Sequence, residues 1–403
     1  MKKKQLGIGI FITIFLLCTP TMIGAEEENQ VMTSEMHQQR LLELVKYEIP
    51  DKLKRFYYDS GLSFEYPDAV RGIYLTGHTA GGSRFEEMVE LVESTDLNAM
   101  VIDVKDDDGI ITFKVDDDHP FAEMSRNFMG DPRELLEFLE EKGIYPIARI
   151  VVFKDTLLAK ERPDLSFTQN GQVWSNSRGE SFVSPFKKEV WEYNLEVAKM
   201  AAELGFQDIQ FDYVRFPEGF ERRDDELEYD LGDYTDLEVD NVKKRVEAVT
   251  DFVAYAKEEL SYYDVDVSVD IFGYAATLEE TPGIGQNFSR ISENVDVISS
   301  MIYPSHWTSY FGIDFPDKEP YRIIDEYSKV ENEVLGKLEN PPVSRPWIQD
   351  FEAPWLYPSG SAVTQYEKAE VEAQIRALTD NGINEFLIWN PHNRYSENVD
   401  YTP

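Results

Sequence analysis

The sequence predicts an α/β protein, a closed (β/α)8 barrel with an N-terminal helical extension. Three observations predict it. From Arg71 onward, short apolar runs alternate with amphipathic stretches, the pattern of a parallel sheet joined by crossover helices. Eight such runs can be counted along the 403 residues. Polar and charged side chains recur late in several of them, at the strand end where barrel enzymes place their chemistry. The rival, an open doubly wound sheet, calls for a glycine-rich phosphate turn after an early strand, and no run is followed by one.

The elements follow in order. The chain opens with MKKK, then LGIGIFITIFLLCTPTMIGA, then turns acidic at EEENQ. A basic start, an apolar stretch and a small-residue ending at Ala25 read as a secretory signal over residues 1–25, the alternative being an uncleaved N-terminal anchor, so the protein is expected to be secreted or held at the cell envelope. Cys18 is the only cysteine, so no disulfide is expected in the exported chain. Residues 26–69 read as a polar, partly helical leader, and 70–403 as the barrel. The expected strands are GIYLT (72–76), NAMVIDV (98–104), IYPIARIVVF (144–153), FQDIQFDYV (206–214), VDVSVDIFG (265–273), VDVISSMIY (295–303), RPWIQDF (345–351) and INEFLIW (383–389). Helical patterns separate most of them, and several end on Gly, a common helix stop. Only the fifth connection carries a short helix.

The net charge is −38, and residues 1–25 contribute three lysines and no acid to it. A surface that acidic repels nucleic acid and anionic membranes. It suits a solvated exported protein with no membrane partner once the signal is cleaved. The five histidines show no metal-ligand spacing, and the acidic run DVKDDDGIITFKVDDD puts Val104 where a calcium loop needs its first ligand. No metal or cofactor is therefore expected, and this run reads as a solvated hairpin.

Strand side chains alternate between faces. In the fifth strand Val265, Val267, Val269 and Ile271 share one face, and Asp266, Ser268 and Asp270 the other. In the fourth, Ile209, Phe211 and Tyr213 oppose Gln210 and Asp212. If the aliphatic faces pack under helices, Asp103, Lys105, Arg149, Asp212 and Asp270 point into the lumen near its mouth. Asp103 is expected to pair with Lys105 two residues on, and Arg149 to act as a counter-ion. Asp212 and Asp270, on adjacent strands, are the candidate catalytic pair. Glycosidic hydrolysis needs one carboxylate that stays ionised and one carboxyl that holds a proton, and their environments must set these states apart. Tyr303, Gln349 and Trp389 offer the flat apolar faces and hydrogen-bonding groups suited to holding a sugar. Trp347 reads as a core aromatic, and the loop after the third strand offers Trp174 and Asn176 as a wall of the cleft.

Taken together, VIDVKDDDG, ARIVVFKD, GFQDIQFDYVRFP, SVDIFGY, MIYPSHW, PWIQDF and FLIWNP resemble the bacterial putative glycoside hydrolase domain of unknown function, over about residues 70–397. The resemblance implies a TIM barrel related to the α-amylase and α-galactosidase group. It implies that Asp212 holds the usual nucleophile position and Asp270 the acid/base position. The α-amylase pattern has a glutamate for the latter and an arginine two residues before the nucleophile; here Gln210 stands there, and Arg215 follows. Asp350 and Glu352 are the alternative acid/bases. The expected function is a secreted glycoside hydrolase acting on a poly- or oligosaccharide. The alternative is a non-catalytic carbohydrate-binding or envelope-associated barrel.

Overall fold

The computed structural model describes residues 57–402. The signal expected over 1–25 and most of the leader lie outside the described residues. The barrel strands are β1 Arg71–Leu75, β2 Ala99–Lys105, β3 Tyr145–Val151, β4 Asp208–Asp212, β5 Asp266–Phe272, β6 Val297–Met301, β7 Trp347–Gln349 and β8 Phe386–Trp389. Each pairs in parallel with the next, β8 returns to β1, and β6 meets β7 at Met301↔Trp347, closing the ring. The seventh stave is split. Val343–Ser344 pairs with the start of β6, and Pro346, which lacks an N–H, interrupts the ladder before β7.

Each connection between successive strands brings a helix against the ring just before the next strand: α1 Phe85–Glu93, α2 Pro132–Lys142, α3 Lys188–Leu204, α4 Asn241–Leu260, α5 Phe288–Ser292, α6 Pro320–Leu335 and α7 Lys368–Asp380. Their ends follow local chemistry. Asp131 caps α2 through the amides of Arg133 and Glu134, Pro132 opens its first turn, and Gly143 closes it at φ 66°. The short fifth connection is the five-residue α5.

The alternation expected from sequence sorts the core into two parts. Outward-facing Ile102, Ile150, Ile209, Phe211, Val269 and Ile271 join the large cluster under the helices. Tyr74, Val101, Tyr145, Ile147, Trp347 and Leu387 make a separate cluster inside the ring. The bottom of the lumen is sealed by a buried ionic knot. Arg345 bonds Asp208 (2.6 Å) and Glu385 (2.7 Å), and Tyr66 spans Arg345 and Glu385. Tyr66 belongs to the leader, whose described portion, 57–69, is neither helix nor strand and packs Phe64 and Tyr66 against the lumen cluster. With the lower end sealed, the upper rim is where a ligand can reach the inward-facing polar groups.

Candidate active site

Asp212 is the last residue of β4, and the chain turns sharply after it. Tyr213 takes the left-handed conformation, φ 51°, which a residue with a Cβ adopts at a cost of about 1–3 kcal/mol. The turn aims the Tyr213 amide back at Asp212 Oδ1 (2.6 Å). The other oxygen, Oδ2, accepts from Arg149 Nε (3.0 Å) and Nη2 (2.6 Å). Both oxygens of Asp212 thus accept from donors that fix the carboxyl in place.

Arg149, from β3, is 1% exposed and joins three acids. Besides Asp212 it donates to Asp103 Oδ1 (2.7 Å) and Asp107 Oδ1 (2.9 Å). Asp103 also accepts from the Tyr74 hydroxyl, and burial pushes its carboxyl up to about 7 against the pull of Arg149. Asp107 is held at about 2, because Arg149 and Lys154 together outweigh its own burial.

Asp270, on β5, has different surroundings. It is 2% exposed, and its Oδ1 accepts from the indole N–H of Trp347 (2.7 Å). Burial first, then the charge of Asp212, push its carboxyl well above the usual range, with Arg149 and the Trp347 bond opposing. An indole is only a donor, so the proton of the neutral acid belongs on Oδ2. The two candidate catalytic residues therefore sit on neighbouring staves in electrostatic contact, one braced on both oxygens by donors and one disposed to keep its proton.

Aromatic rings line the space around them. Trp389 stacks on Tyr74 (centroids 4.0 Å, 21° between planes), meets Trp347 edge-on, and carries the Arg149 guanidinium 5.1 Å from its ring centre. Tyr303 is buried near Asp270 and Asp212, whose charges add to burial in raising its phenol well above its ordinary value.

Two of the expected site residues are placed otherwise. Lys105 does not face the lumen. The register steps from Asp103↔Arg149 to Lys105↔Ile150, a bulge that turns both Val104 and Lys105 outward. Lys105 Nζ lies beneath α3, 2.6 Å from Asp155 and 3.0 Å from Asn194, so Asp103 pairs with Arg149 instead. Gln349 is fully buried and committed to neighbouring loops, accepting from the Ser305 amide (3.0 Å) and donating to the Phe351 carbonyl (2.8 Å). It braces the rim and has no edge free for a sugar. Of the alternative acids, Asp350 is turned toward Ser396, bonding its amide (2.8 Å) and hydroxyl (2.7 Å), while Glu352 is exposed. Trp174 is buried in the core, and Asn176 is tied to Glu180.

Sequence reasoning missed Asp107 and Lys154. Asp107 lies in the run expected to be a solvated hairpin, and Lys154 just follows β3. Lys154 is 4% exposed and bonds Asp107 (3.2 Å), Glu180 (3.1 Å) and the Tyr213 hydroxyl (3.2 Å). Its ammonium also lies 4.4 Å from the Tyr213 ring centre. It thus holds the residue whose strained backbone orients Asp212. Both lie just beyond the C-terminal ends of barrel strands, the position that marks functional loops. Lys154→Met is expected to lower kcat about ten- to a hundred-fold by misplacing Asp212, with KM little changed and Lys154→Arg recovering part of the loss. Steady-state kinetics beside thermal melts test this, and an unchanged kcat would remove Lys154 from the positioning network.

Two cavities open at the rim on opposite sides of the ring. One, of about 440 Å³, lies past Asp270 between the ends of β5 and β6, walled by Phe272, Tyr274, Met301, His306 and Trp307, with Glu218 and Glu221 at its edge. The other, of about 180 Å³, lies over β1 and β2 between Tyr74, His78 and Phe128, with Asp103 and Asp106 to Asp108.

Comparison with known proteins agrees with this architecture. The family described as "Putative glycosyl hydrolase domain" matches residues 72–395. Among solved structures, the PgaB (BpsB) glycoside hydrolase domain from Bordetella bronchiseptica is similar over 80% of this chain and 94% of its own, at TM-score 0.56 and 13% identity. A hypothetical protein from Ruminiclostridium thermocellum is 32% identical over 49% of this chain and 96% of its own, at TM-score 0.42. An alpha-galactosidase from Thermus thermophilus covers 83% of this chain and 60% of its own, at TM-score 0.48 and 11% identity. No curated protein matches the chain.

Proposed function

The chain belongs to the putative glycosyl hydrolase domain family, and on that premise we propose that it is a secreted glycoside hydrolase cleaving a poly- or oligosaccharide at the upper rim of its barrel. Asp212 supplies the ionised carboxylate at the anomeric carbon, and Asp270 protonates the departing glycosidic oxygen. Arg149 holds Asp212 in place. Tyr303 and Trp389 give the sugar its apolar walls. The observation that carries this reading is the contrast between the two carboxyls. Asp212 receives two guanidinium bonds and an amide, whereas Asp270 is buried beside that anion with one indole donor. Export is supported by the composition of residues 1–25.

The test is a panel of neutral, amine-bearing and uronate polysaccharides, assayed for new reducing ends with wild-type protein beside Asp212→Asn. Release from at least one by the wild type and none by the variant is expected. Equal release by both would end the assignment.

The pH profile follows from the same contrast. Asp270 must be protonated to act as the acid, and its affinity for the proton is raised. So kcat/KM is expected to hold through the range where Asp270 keeps its proton and to fall as pH rises through its elevated pKa. The Trp347 indole stabilises the charged form. Trp347→Phe should therefore move the alkaline limb to higher pH, and a shift to lower pH would contradict the role given to Asp270.

A further inference from the structure

Trp355 is 62% exposed, the most exposed large hydrophobic side chain among the described residues. Single exposed apolar residues are common and need no function, but this one ends a chain of rings that leads outward from the carboxylates. Tyr303 lies beside Asp270 and Asp212; Phe351 meets Tyr303 edge-on at 5.8 Å; Trp355 stacks on Phe351 at 6.3 Å with 25° between planes. His306 packs edge-on against Tyr303 (5.1 Å) and Trp355 (6.3 Å) and also lines the larger cavity, so platform and cavity adjoin. Trp355 sits in a short turn after β7, on the same rim as the catalytic candidates.

We infer that Trp355, backed by Phe351 and His306, is a stacking subsite for a distal pyranose ring of a chain-like, non-anionic glycan whose cleaved bond lies at Asp212 and Asp270. The inference rests on the hydrolase reading for that last clause. An indole face presents a flat apolar surface matched to the C–H face of a sugar ring. The charge of the glycan follows from the two cavities. Their walls carry Glu218 and Glu221 on one side, paired with Arg215 and Arg222, and Asp103, Asp106, Asp107 and Asp108 on the other, where these four acids outnumber Arg149 and Lys154. Uronate chains would meet repulsion over β1 and β2, whereas neutral or amine-bearing sugars would not.

The experiment uses the full chain carrying Asp212→Asn, so that nothing is consumed, titrated calorimetrically with two- and six-ring oligosaccharides. Three series serve as probes: cello-oligosaccharides (neutral), chitosan oligosaccharides (amine-bearing) and oligogalacturonates (anionic). In at least one of the first two, the six-ring chain is expected to bind about tenfold tighter than the two-ring one. Adding Trp355→Ala should erase that gain, and Trp355→Phe should restore most of it. Length-dependent binding that survives Trp355→Ala overturns the inference, as does tightest binding of oligogalacturonate or no binding in any series. So does a change of sedimentation in Trp355→Ala with binding untouched, which would assign the ring to self-association. The two readings fail separately. Tryptophan-dependent binding by a wild-type protein that cleaves nothing would sink hydrolysis and leave the platform standing. Hydrolysis indifferent to Trp355 at every chain length would do the reverse.

Discussion

Asp212→Asn is expected to lower kcat by about a thousandfold or more while leaving the barrel folded. The carboxylate is the group that must meet positive charge at the anomeric carbon, and an amide carries no charge to offer. Folding is spared because the substitution is nearly isosteric and the buried guanidinium of Arg149 keeps Asp103 and Asp107 as partners. The cost is local. Asp212 now accepts on both oxygens, from Arg149 and from the Tyr213 amide. The NH2 of asparagine must face one of those donors, a mismatch worth about 1–3 kcal/mol. Circular dichroism and urea unfolding would register that modest loss, and initial rates on the polysaccharide found by the panel would register the large one. The variant also removes a charge that raises the Asp270 pKa, so Asp270 should release its proton at lower pH, a shift that carbon-13 NMR of the carboxyl can follow. A variant that unfolds outright would show that Asp212 is chiefly a structural anion.

Much of this site was legible from residue alternation, because a closed barrel leaves each strand one inward and one outward face. Counting staves gave the ring, and parity placed Asp103, Arg149, Asp212 and Asp270 inside it. Parity failed where the backbone departs from regular pleating. The bulge at the top of β2 turned Lys105 under α3, and no residue in VIDVKDDDG announces it. The left-handed Tyr213 is equally silent in sequence, since tyrosine has no preference for that conformation. Asp107 was hidden for another reason. Its neighbours are acidic and solvated, and only the fold brings Arg149 and Lys154 within 2.9 and 3.2 Å of its oxygens. Trp347 was correctly read as core; the N–H that makes it a partner of Asp270 depended on how β5 and β7, one stave apart, both point into the lumen. Gln349 illustrates the converse. It was offered as a group to hold a sugar, but a long amide near a strand end reached the loops and spent its bonding capacity there.

Removing the hub should matter more to stability than removing any acid it serves. Arg149→Met is expected to destabilise the fold by about 3–5 kcal/mol at neutral pH, the range for breaking a buried ion pair by deleting one partner. Asp103 and Asp212 are left in the lumen, their side chains 4% and 6% exposed, with no cation to balance them. The pH dependence separates this cause from simple loss of packing. Burial already holds the Asp103 carboxyl up to about 7 against the pull of Arg149, and without the guanidinium it keeps its proton to higher pH still. In that window the native state binds more protons, so stability falls as pH rises. The deficit relative to wild type should therefore grow as pH rises through about 7, where wild-type Asp103 gives up its proton, and be smaller below it. Arg149→Lys keeps the charge but loses the planar fork that serves three acids at once, so it should recover part of the stability and little of the activity. Urea denaturation of both variants between pH 4 and pH 8 decides the matter. A deficit that stays flat across that range would mean that shape, and not compensation of buried charge, is what Arg149 contributes.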